Sequence, residues 1–544
     1  MNKIRPILLA LTVVFAALLA YGVWTRPSAR PADHDGFSAA RVIKDIEVMS
    51  KEHHSVAHPE ERAKVREYLM QRLEGLGADT VMLYEYDSLV GPKNKHVVYT
   101  FDAKNIVAEF PPLEASADPT YLLMVAHYDS RYSQPMPKDT VWSYGAADDG
   151  YGVGVILETV SQVLKNRQDW KQGVKVLFTD AEEVGMMGMK AAWDNDKQIF
   201  DNVGLVLNVE ARGPKGPALL FEACPGNDKV QDLYASCAKY PYTYSLTTVV
   251  YGFMPTYTDF SIIKDSVPGL NFSTIADINH YHTDLDNIHN ISEKTIQHYG
   301  EQIMPLMKEY LTNKEYAEKN YFLAEEDVIY FSIPLLGTFH FPKNTYWLLN
   351  IGVFFLLLHL MFKQNNLPWK TILKPSGITI ALGLGWIVVG EVIAWLSALS
   401  VGARFKLFGT VQGIPFDNAV ILLSVLILVV GMVRFVQNLY ASLFTLMLLS
   451  FIALIIAGEN MMFFIPLCIG TLSVMLWQAT SSRIFPLLGV CLILLHAFSF
   501  VYIIAMALTI GALGLVLLVA FCHLIVVIPL AKLYLADKAS SRMP

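Results

Sequence analysis

The chain has 544 residues, 53% of them hydrophobic and 17% charged, with a formal net charge of −7. Soluble proteins carry about 25% charged residues, so one uniform soluble globule is excluded, and without a long basic run nucleic acid is excluded as a partner. Five cysteines over this length exclude a disulfide scaffold, and at about 150 residues per domain the length predicts roughly three to four domains.

The charge is spread unevenly. Lys, Arg, Asp and Glu crowd residues 26–345 and nearly vanish after Lys374, which predicts a soluble half joined to a membrane half. Pro6 to Trp24 is an uncharged apolar run behind Lys3 and Arg5, close to the roughly 20 residues that cross a bilayer. It has no small-x-small cleavage site before Trp24 and is long for a signal peptide, so residues 1–25 are read as an uncleaved anchor.

Residues 26–344 follow as a soluble domain. Helices are predicted over 36–55 and 59–76, with Pro59 suited to a first turn and Gly75 and Gly77 to a stop. Then TYLLMVAHYD, VKVLFTD, VGLVLNVE and PGLNFST form short, nearly continuous apolar runs, as strands buried on both faces do. Helical patterns at 152–165 and 291–311 alternate with them. The fold class expected is α/β, a mostly parallel central sheet sandwiched by helices, followed by an all-α multi-span membrane domain. Cys224 and Cys237 could form one disulfide in an oxidising compartment. Asn271-Phe-Ser and Asn290-Ile-Ser match glycosylation sequons.

Ligands of such sheets bind at the carboxyl ends of the strands, where this sequence collects its polar residues. The strand at 120–126 ends in His127-Tyr128-Asp129, that at 173–179 in Asp180-Ala181-Glu182-Glu183, and that at 203–209 in Glu210. Asp148-Asp149-Gly150 opens a helix, and Tyr281-His282-Thr283-Asp284 follows the strand at 268–275. Singly, each has a plain alternative: an exposed rim pair, a solvated face, a turn or a helix cap. Jointly, imidazoles and carboxylates without cysteine at one sheet rim suit a divalent ion, and imidazole points to zinc.

Seven apolar runs close the chain, near 345–362, 377–400, 418–436, 439–457, 461–480, 484–506 and 508–530, the last two separated only by Leu508–Gly511. With the anchor this makes eight spans, seven of them in a domain over 345–531, before a cytoplasmic tail at 532–544. Placing the N-terminus in the cytoplasm puts Lys3, Arg5, Lys363, Lys370, Lys374, Arg434, Arg483, Lys532, Lys538 and Arg542 inside, and only Arg404 and Lys406 of the short loops outside. Both termini are then cytoplasmic and the soluble domain faces away. Glu391, mid-span, is either an intramembrane functional carboxylate or a hydrogen-bonded clamp between helices. His359, His496 and His523 are scattered singly, without ligand spacing, and read as packing or interhelical contacts.

On the five motif blocks His127–Asp129, Asp148–Gly150, Glu182-Glu183, Glu210 and Tyr281-His282, the chain resembles the co-catalytic di-zinc exopeptidase family of bacterial leucyl aminopeptidase, aminopeptidase Y and glutamate carboxypeptidase II. The resemblance covers roughly residues 35–315. The membrane architecture is similar to the branch of vacuolar membrane protease and endoplasmic reticulum metallopeptidase. The resemblance implies two zinc ions per chain, with His127 and Glu210 on the first, Glu183 and His282 on the second, and Asp148 bridging both. It implies Glu182 as general base, Asp129 as the carboxylate orienting His127, and Tyr281 as a donor to the tetrahedral intermediate. Many family members have Asp where Glu210 stands. The chemistry agrees: two metals about 3.5–4 Å apart share a carboxylate and acidify a water between them, and a non-ligand carboxylate must move its proton.

The implied activity is metallo-exopeptidase, an aminopeptidase first, with peptides as substrates and the lipid bilayer as partner. Competing functions are a catalytically silent binding ectodomain, glutaminyl cyclase-like chemistry on a single metal, and a transporter with an attached hydrolase. Arg212, just after Glu210, meets either a substrate carboxylate or a structural acid. Short loops favour a bacterial inner membrane with a periplasmic catalytic domain; the alternative is an endoplasmic reticulum or vacuolar membrane with a lumenal domain.

Overall fold

The computed structural model describes residues 4–536 apart from 26, 92–99, 115–118, 137, 253–255, 364–368 and 437. Lys3, Lys538, Arg542 and nearly all of the expected cytoplasmic tail lie outside the described residues. The chain forms two compact units, one holding Trp24–Ser332 with Gly337–Pro342 and the other holding the N-terminal helix and the chain from Lys343 on.

The strands are β1 (Thr80–Leu89), β2 (Phe101–Phe110), β3 (Tyr121–His127), β4 (Gln134–Pro135), β5 (Thr140–Val141), β6 (Gly173–Thr179), β7 (Val203–Val209), β8 (Leu219–Ala223), β9 (Gly269–Ser273), β10 (Val328–Ile333) and β11 (Gly337–Pro342). Seven of them form the central sheet, in the order β1-β2-β6-β3-β7-β9-β8. The four middle strands are parallel to one another, whereas β1 on β2, β2 on β6 and β8 on β9 are antiparallel. The sheet is therefore mixed, parallel only at its centre. Every residue of β6, β7 and β9 is buried, which is why those segments read as unbroken apolar runs. By contrast β1, TVMLYEYDSL, has one buried residue and carries charge along an edge, so its sequence lacks the signal of a central strand.

Register sets the rim. His127 pairs with Thr179 across β3 and β6, Val125 with Asn208 across β3 and β7, and Val209 with Phe272 across β7 and β9. The residues just past these strand ends thus stand side by side. Helices Ala39–Met49, Gly150–Val163 and Glu293–Thr312 supply much of the surrounding core, the second buried at nearly every position. Asn271 is fully buried inside β9, donating to Glu222 Oε2 (3.0 Å) and Thr258 Oγ1 (2.9 Å), so its sequon is closed to glycosylation. Cys224 and Cys237 are both free thiols, with helix Asp228–Cys237 running between them.

Among the described residues, the second unit carries seven helices long and apolar enough to cross a membrane: Lys343–Lys363, Lys370–Val401, Asp417–Phe435, Leu439–Ala457, Met461–Thr480, Ile484–Leu508 and Ile510–Leu535. The last is the most buried, at 83%, against 22% for Asp417–Phe435. The narrow break before it is made by Thr509, at φ 57°, and a short 3₁₀ turn at Ile510–Ala512. The N-terminal helix Ile4–Thr25 is apolar too. Arg5 donates to Ala536 O (3.0 Å), Arg483 to Tyr534 O (3.4 Å), and Lys532 Nζ to Val433 O and Val436 O (2.8 and 3.0 Å), which gathers these cations at one end of the bundle.

Glu391 resolves as a clamp. Its Oε1 accepts from Gly514 N (3.1 Å), in the first turn of the last helix, and its Oε2 from Phe408 N (3.3 Å). A carboxylate at a helix N-terminus meets orphan N–H groups and the positive end of the dipole. The two helices can approach this closely because residues 390 and 514 are glycines: a Cβ on Gly390 would lie 2.6 Å from Gly514 Cα. The lone histidines are not all lone. His359 is exposed, but His496 Nδ1 and His523 Nε2 meet at 2.9 Å, both buried.

Candidate metal centre

The five motif blocks converge. His127, Asp148 and Glu210 offer ligand atoms that all lie within 4.8 Å of one another, as do those of Asp148, Glu183 and His282. Asp148 belongs to both groups: its Oδ1 is 3.2 Å from His127 Nε2 and its Oδ2 3.2 Å from His282 Nε2. His127 Nε2 is 3.6 Å from Glu210 Oε2, and His282 Nε2 is 3.2 Å from Glu183 Oε2. Side chains this close could share a common ion. Three of the atoms, Asp148 Oδ2, Glu183 Oε1 and His282 Nε2, are buried with no hydrogen-bond partner, a cost that a cation would lift. The donor set, imidazole and carboxylate, fits a divalent metal.

The surrounding backbone holds these groups in place. Asp129 takes Glu182 N (2.9 Å) and Glu183 N (3.3 Å) on its carboxylate, while its carbonyl stands 2.9 Å from His127 Nδ1. A carbonyl can only accept, so Nδ1 carries the proton and Nε2 presents its lone pair to the metal position. The Asp129 carboxylate itself is 3.5 Å from Nδ1; its larger task is to brace the Glu182-Glu183 turn. Ala181 and His282 adopt left-handed φ of 55° and 60°, a backbone strain of about 1–3 kcal/mol each that clusters at functional sites. Glu210 is fixed through its own peptide, N to Phe272 O (2.9 Å) and O from Tyr299 (2.5 Å).

Several supporting residues carried no sequence signal. Asp286 accepts from Ala147 N (2.7 Å), Asp148 N (3.2 Å) and Ser143 Oγ (3.1 Å), tying the His282 loop to the Asp148 turn. Burial and the neighbouring Asp148 push it up to about 7. Arg131 donates to the carbonyl (2.6 Å) and Oε2 (3.1 Å) of Glu183. Asp149 caps helix Gly150–Val163 through Gly152 N and also accepts from His127 N (3.3 Å). Asp286 and Arg131 were hidden because their partners are distant in sequence, whereas Asp149 stands in the helix opener that the sequence shows.

Glu182 belongs to neither ligand group. It is half-buried at the end of β6. Burial pushes its carboxyl well up; His127 opposes this, and Glu210, Asp259 and Glu183 add to it. Such a crowd of carboxylates calls for cations between them. Tyr281 stacks on His282, with ring centroids 3.5 Å apart, and the Arg212 guanidinium lies 6.0 Å from the Tyr281 centroid.

Residues 105–307, the part of the chain that carries both ligand groups, match the model of Peptidase family M28. Among its relatives, Endoplasmic reticulum metallopeptidase 1 of Mus musculus is 25% identical over 259 residues, covering 47% of this chain and 27% of the relative. Vacuolar membrane protease of Candida tropicalis is 29% identical over 246 residues, covering 43% of this chain and 25% of the relative. The chain thus spans about a quarter of the length of these relatives. Solved structures that align with it include Porphyromonas gingivalis glutaminyl cyclase, at 18% identity and TM-score 0.39, covering 51% of this chain and 100% of that one. A Zn-dependent exopeptidase from Parabacteroides distasonis aligns at 18% identity and TM-score 0.39, covering 50% and 98%.

Proposed function

We propose that the protein is a membrane-anchored di-zinc exopeptidase, acting as an aminopeptidase, with Glu182 as general base. The observation that carries this is the pair of ligand groups sharing Asp148, with a carboxylate outside both groups one residue before Glu183. Two zinc ions bound there supply Lewis acidity and lower the pKa of a water held between them. His127 and Glu210 would hold the first ion, Glu183 and His282 the second, and Asp148 would contribute to both. Glu182 accepts the proton of the attacking water and returns it to the leaving amine. Asp129 and Arg131 keep the Glu182-Glu183 turn in register, and Tyr281 donates to the developing oxyanion.

The membrane half anchors this site. The reading includes eight spans, both termini cytoplasmic and the catalytic domain facing a periplasm or lumen. The clustering of Arg5, Arg483 and Lys532 at one end of the bundle supports it.

The test uses the full chain in detergent. Glu182→Gln should keep two zinc ions and lose on the order of 10²–10⁴-fold in turnover. Glu183→Gln should lose the second zinc and regain part of its activity when zinc is added. Peptides with a free N-terminus should be cut and their N-acetylated forms spared; zinc loss from Glu182→Gln with retention in Glu183→Gln would reverse the roles. Cyclisation of an N-terminal Gln peptide without hydrolysis would replace the peptidase reading altogether.

A further inference from the structure

The last hairpin before the membrane helices has no part in the chemistry above. Strands β10 and β11 form a two-stranded sheet of their own, joined through Pro334-Leu335-Leu336. The body of the hairpin is fastened to the soluble unit. Ser332 N donates to Thr243 O (2.9 Å), Thr243 N donates to Ser332 Oγ (3.2 Å), and Phe331 bridges to Tyr244. On the other strand His340 Nε2 stands 2.7 Å from Asp232 Oδ1. Phe339 and Phe341 lie against Phe331, with ring centroids 5.8 and 6.3 Å from it.

The apex is built against the usual rules for a turn in water. Such turns favour Gly, Asn, Asp and Ser, yet here Leu335 is 67% and Leu336 55% exposed. Leu336 N closes the turn on Ile333 O (3.0 Å), and Leu335 holds a left-handed φ of 67°. Gly or Asn at Leu335 would relieve both the strain and the exposure, so neither serves the hairpin itself. Edges that face water are normally guarded by charge, but Val328 through Pro342 contains no Asp, Glu, Lys or Arg. The place of the apex supplies the reason. Pro342 is followed by Lys343, the first residue of the spanning helix Lys343–Lys363. The six residues of β11, at about 3.3 Å each, keep the apex within about 20 Å of that helix end. Ile333–Leu336 groups into the same compact unit as the seven apolar helices, although Gly337–Pro342 does not. Lys343 and Trp347, both exposed in the first turns of the helix, are the cation and indole that mark headgroup level.

We propose that Leu335 and Leu336 form a lipid foot: they enter the acyl boundary of the leaflet at the Lys343 end of the first helix and give the soluble unit a second hold on the bilayer besides its covalent links. Lipid is the occupant that fits. Two leucine side chains fall far short of the about 800 Å² per partner that a stable protein interface buries, whereas a bilayer takes up isolated apolar side chains in proportion to their area. A charge-free strand behind the apex can approach the headgroups without giving up the hydration of an ion. The foot depends on Lys343–Lys363 crossing the membrane and not on the metal centre, so it stands or falls apart from the peptidase reading.

The test uses the full chain in phosphatidylcholine vesicles. Leu335→Cys, Leu336→Cys and, as a control on the soluble unit, Leu323→Cys (the leucine there is 51% exposed) are labelled with a nitroxide. The signal of identically treated wild type, with its five native cysteines, is subtracted. Collision with oxygen, which concentrates in lipid, is compared with collision with a water-soluble nickel complex. Labels at 335 and 336 should show an oxygen-to-nickel ratio severalfold above that at 323. A ratio equal to that at 323 places the apex in water and overturns the proposal. Shielding from both reagents means that protein covers the apex, and overturns it as well. Unmodified wild type guards against a folding defect in the variants: in vesicles doped with a lipid carrying a diazirine on its acyl chain near the headgroup, irradiation should mark the 328–342 segment. Marking of the spanning helices without that segment overturns the proposal.

Discussion

The two units bury polar side chains under different arrangements. At the sheet rim of the soluble unit, Asp148, Glu183 and His282 keep buried ligand atoms without hydrogen-bond partners, while Asp129, Asp286 and Arg131 brace the loops that carry them. In the membrane unit several buried polar groups close on neighbours: Glu391 on two backbone N–H groups, His496 Nδ1 on His523, and Asn460 on Tyr346, Asn350 and Ser450 at 2.6–2.8 Å. Orphaned ligands inside a braced frame mark a site built for something that arrives. Mutually satisfied groups mark helix packing, where an unpaired polar atom has no water to fall back on. The difference assigns the chemistry to the soluble unit and a structural role to Glu391.

The sharpest way to break that contrast is Asp148→Asn. It removes the carboxylate common to both groups, so metal content should fall from two ions per chain to below one and turnover should vanish; metal analysis with a peptide assay decides. Retained metal and activity would mean that the groups do not share a ligand.

The next effect is on stability in acid. His298 is buried, its Nδ1 accepting from Ala218 N (2.9 Å) and its Nε2 donating to Tyr240 O (3.0 Å), and burial pushes it from 6.5 down to about 4. The unfolded chain therefore binds the extra proton between those values. Stability from this group is complete above about pH 6.5 and is lost as pH falls toward about 4, in total on the order of 3 kcal/mol at 1.36 kcal/mol per pH unit. Thermal unfolding of the full chain against pH should show this slope, and His298→Gln should flatten it.

In the membrane unit, Glu391→Ala should leave peptide turnover unchanged and lower thermal stability in detergent. Two backbone donors lose their acceptor, each costing about 1–3 kcal/mol if buried. A loss of turnover with normal stability would return Glu391 to the functional class. The smallest effect is expected from His523→Leu: one interhelical hydrogen bond, about 0.6–2 kcal/mol, read as a small shift in melting temperature without change in metal content.

Much of this was legible in the chain. The runs at 120–126, 173–179 and 203–209 read as central strands because every position in them is apolar or buried on both faces. The outer strands β1, β2 and β8 escaped notice, since alternation and charge along β1 resemble a loop more than a core strand. Glu391 looked mid-span because hydropathy cannot register that a helix N-terminus, the one at Gly514, lies against it. His496 and His523 looked solitary for the same reason: their pairing joins two helices across 27 residues.

By itself the sequence determined the division into a charged half and an apolar half, the central strands, the helices long enough to span, and the imidazole and carboxylate side chains that gather at the sheet rim. These depend on local composition and on periods of two or 3.6 residues, which the chain carries along its length. Only the tertiary structure decided that Asp129 braces the peptide of Glu182-Glu183, that Asp286 holds the Asp148 turn and that Arg131 reaches Glu183. Those relations join residues tens to hundreds of positions apart. No local pattern encodes them, because they arise from the register of parallel strands and the loops which that register brings to one edge.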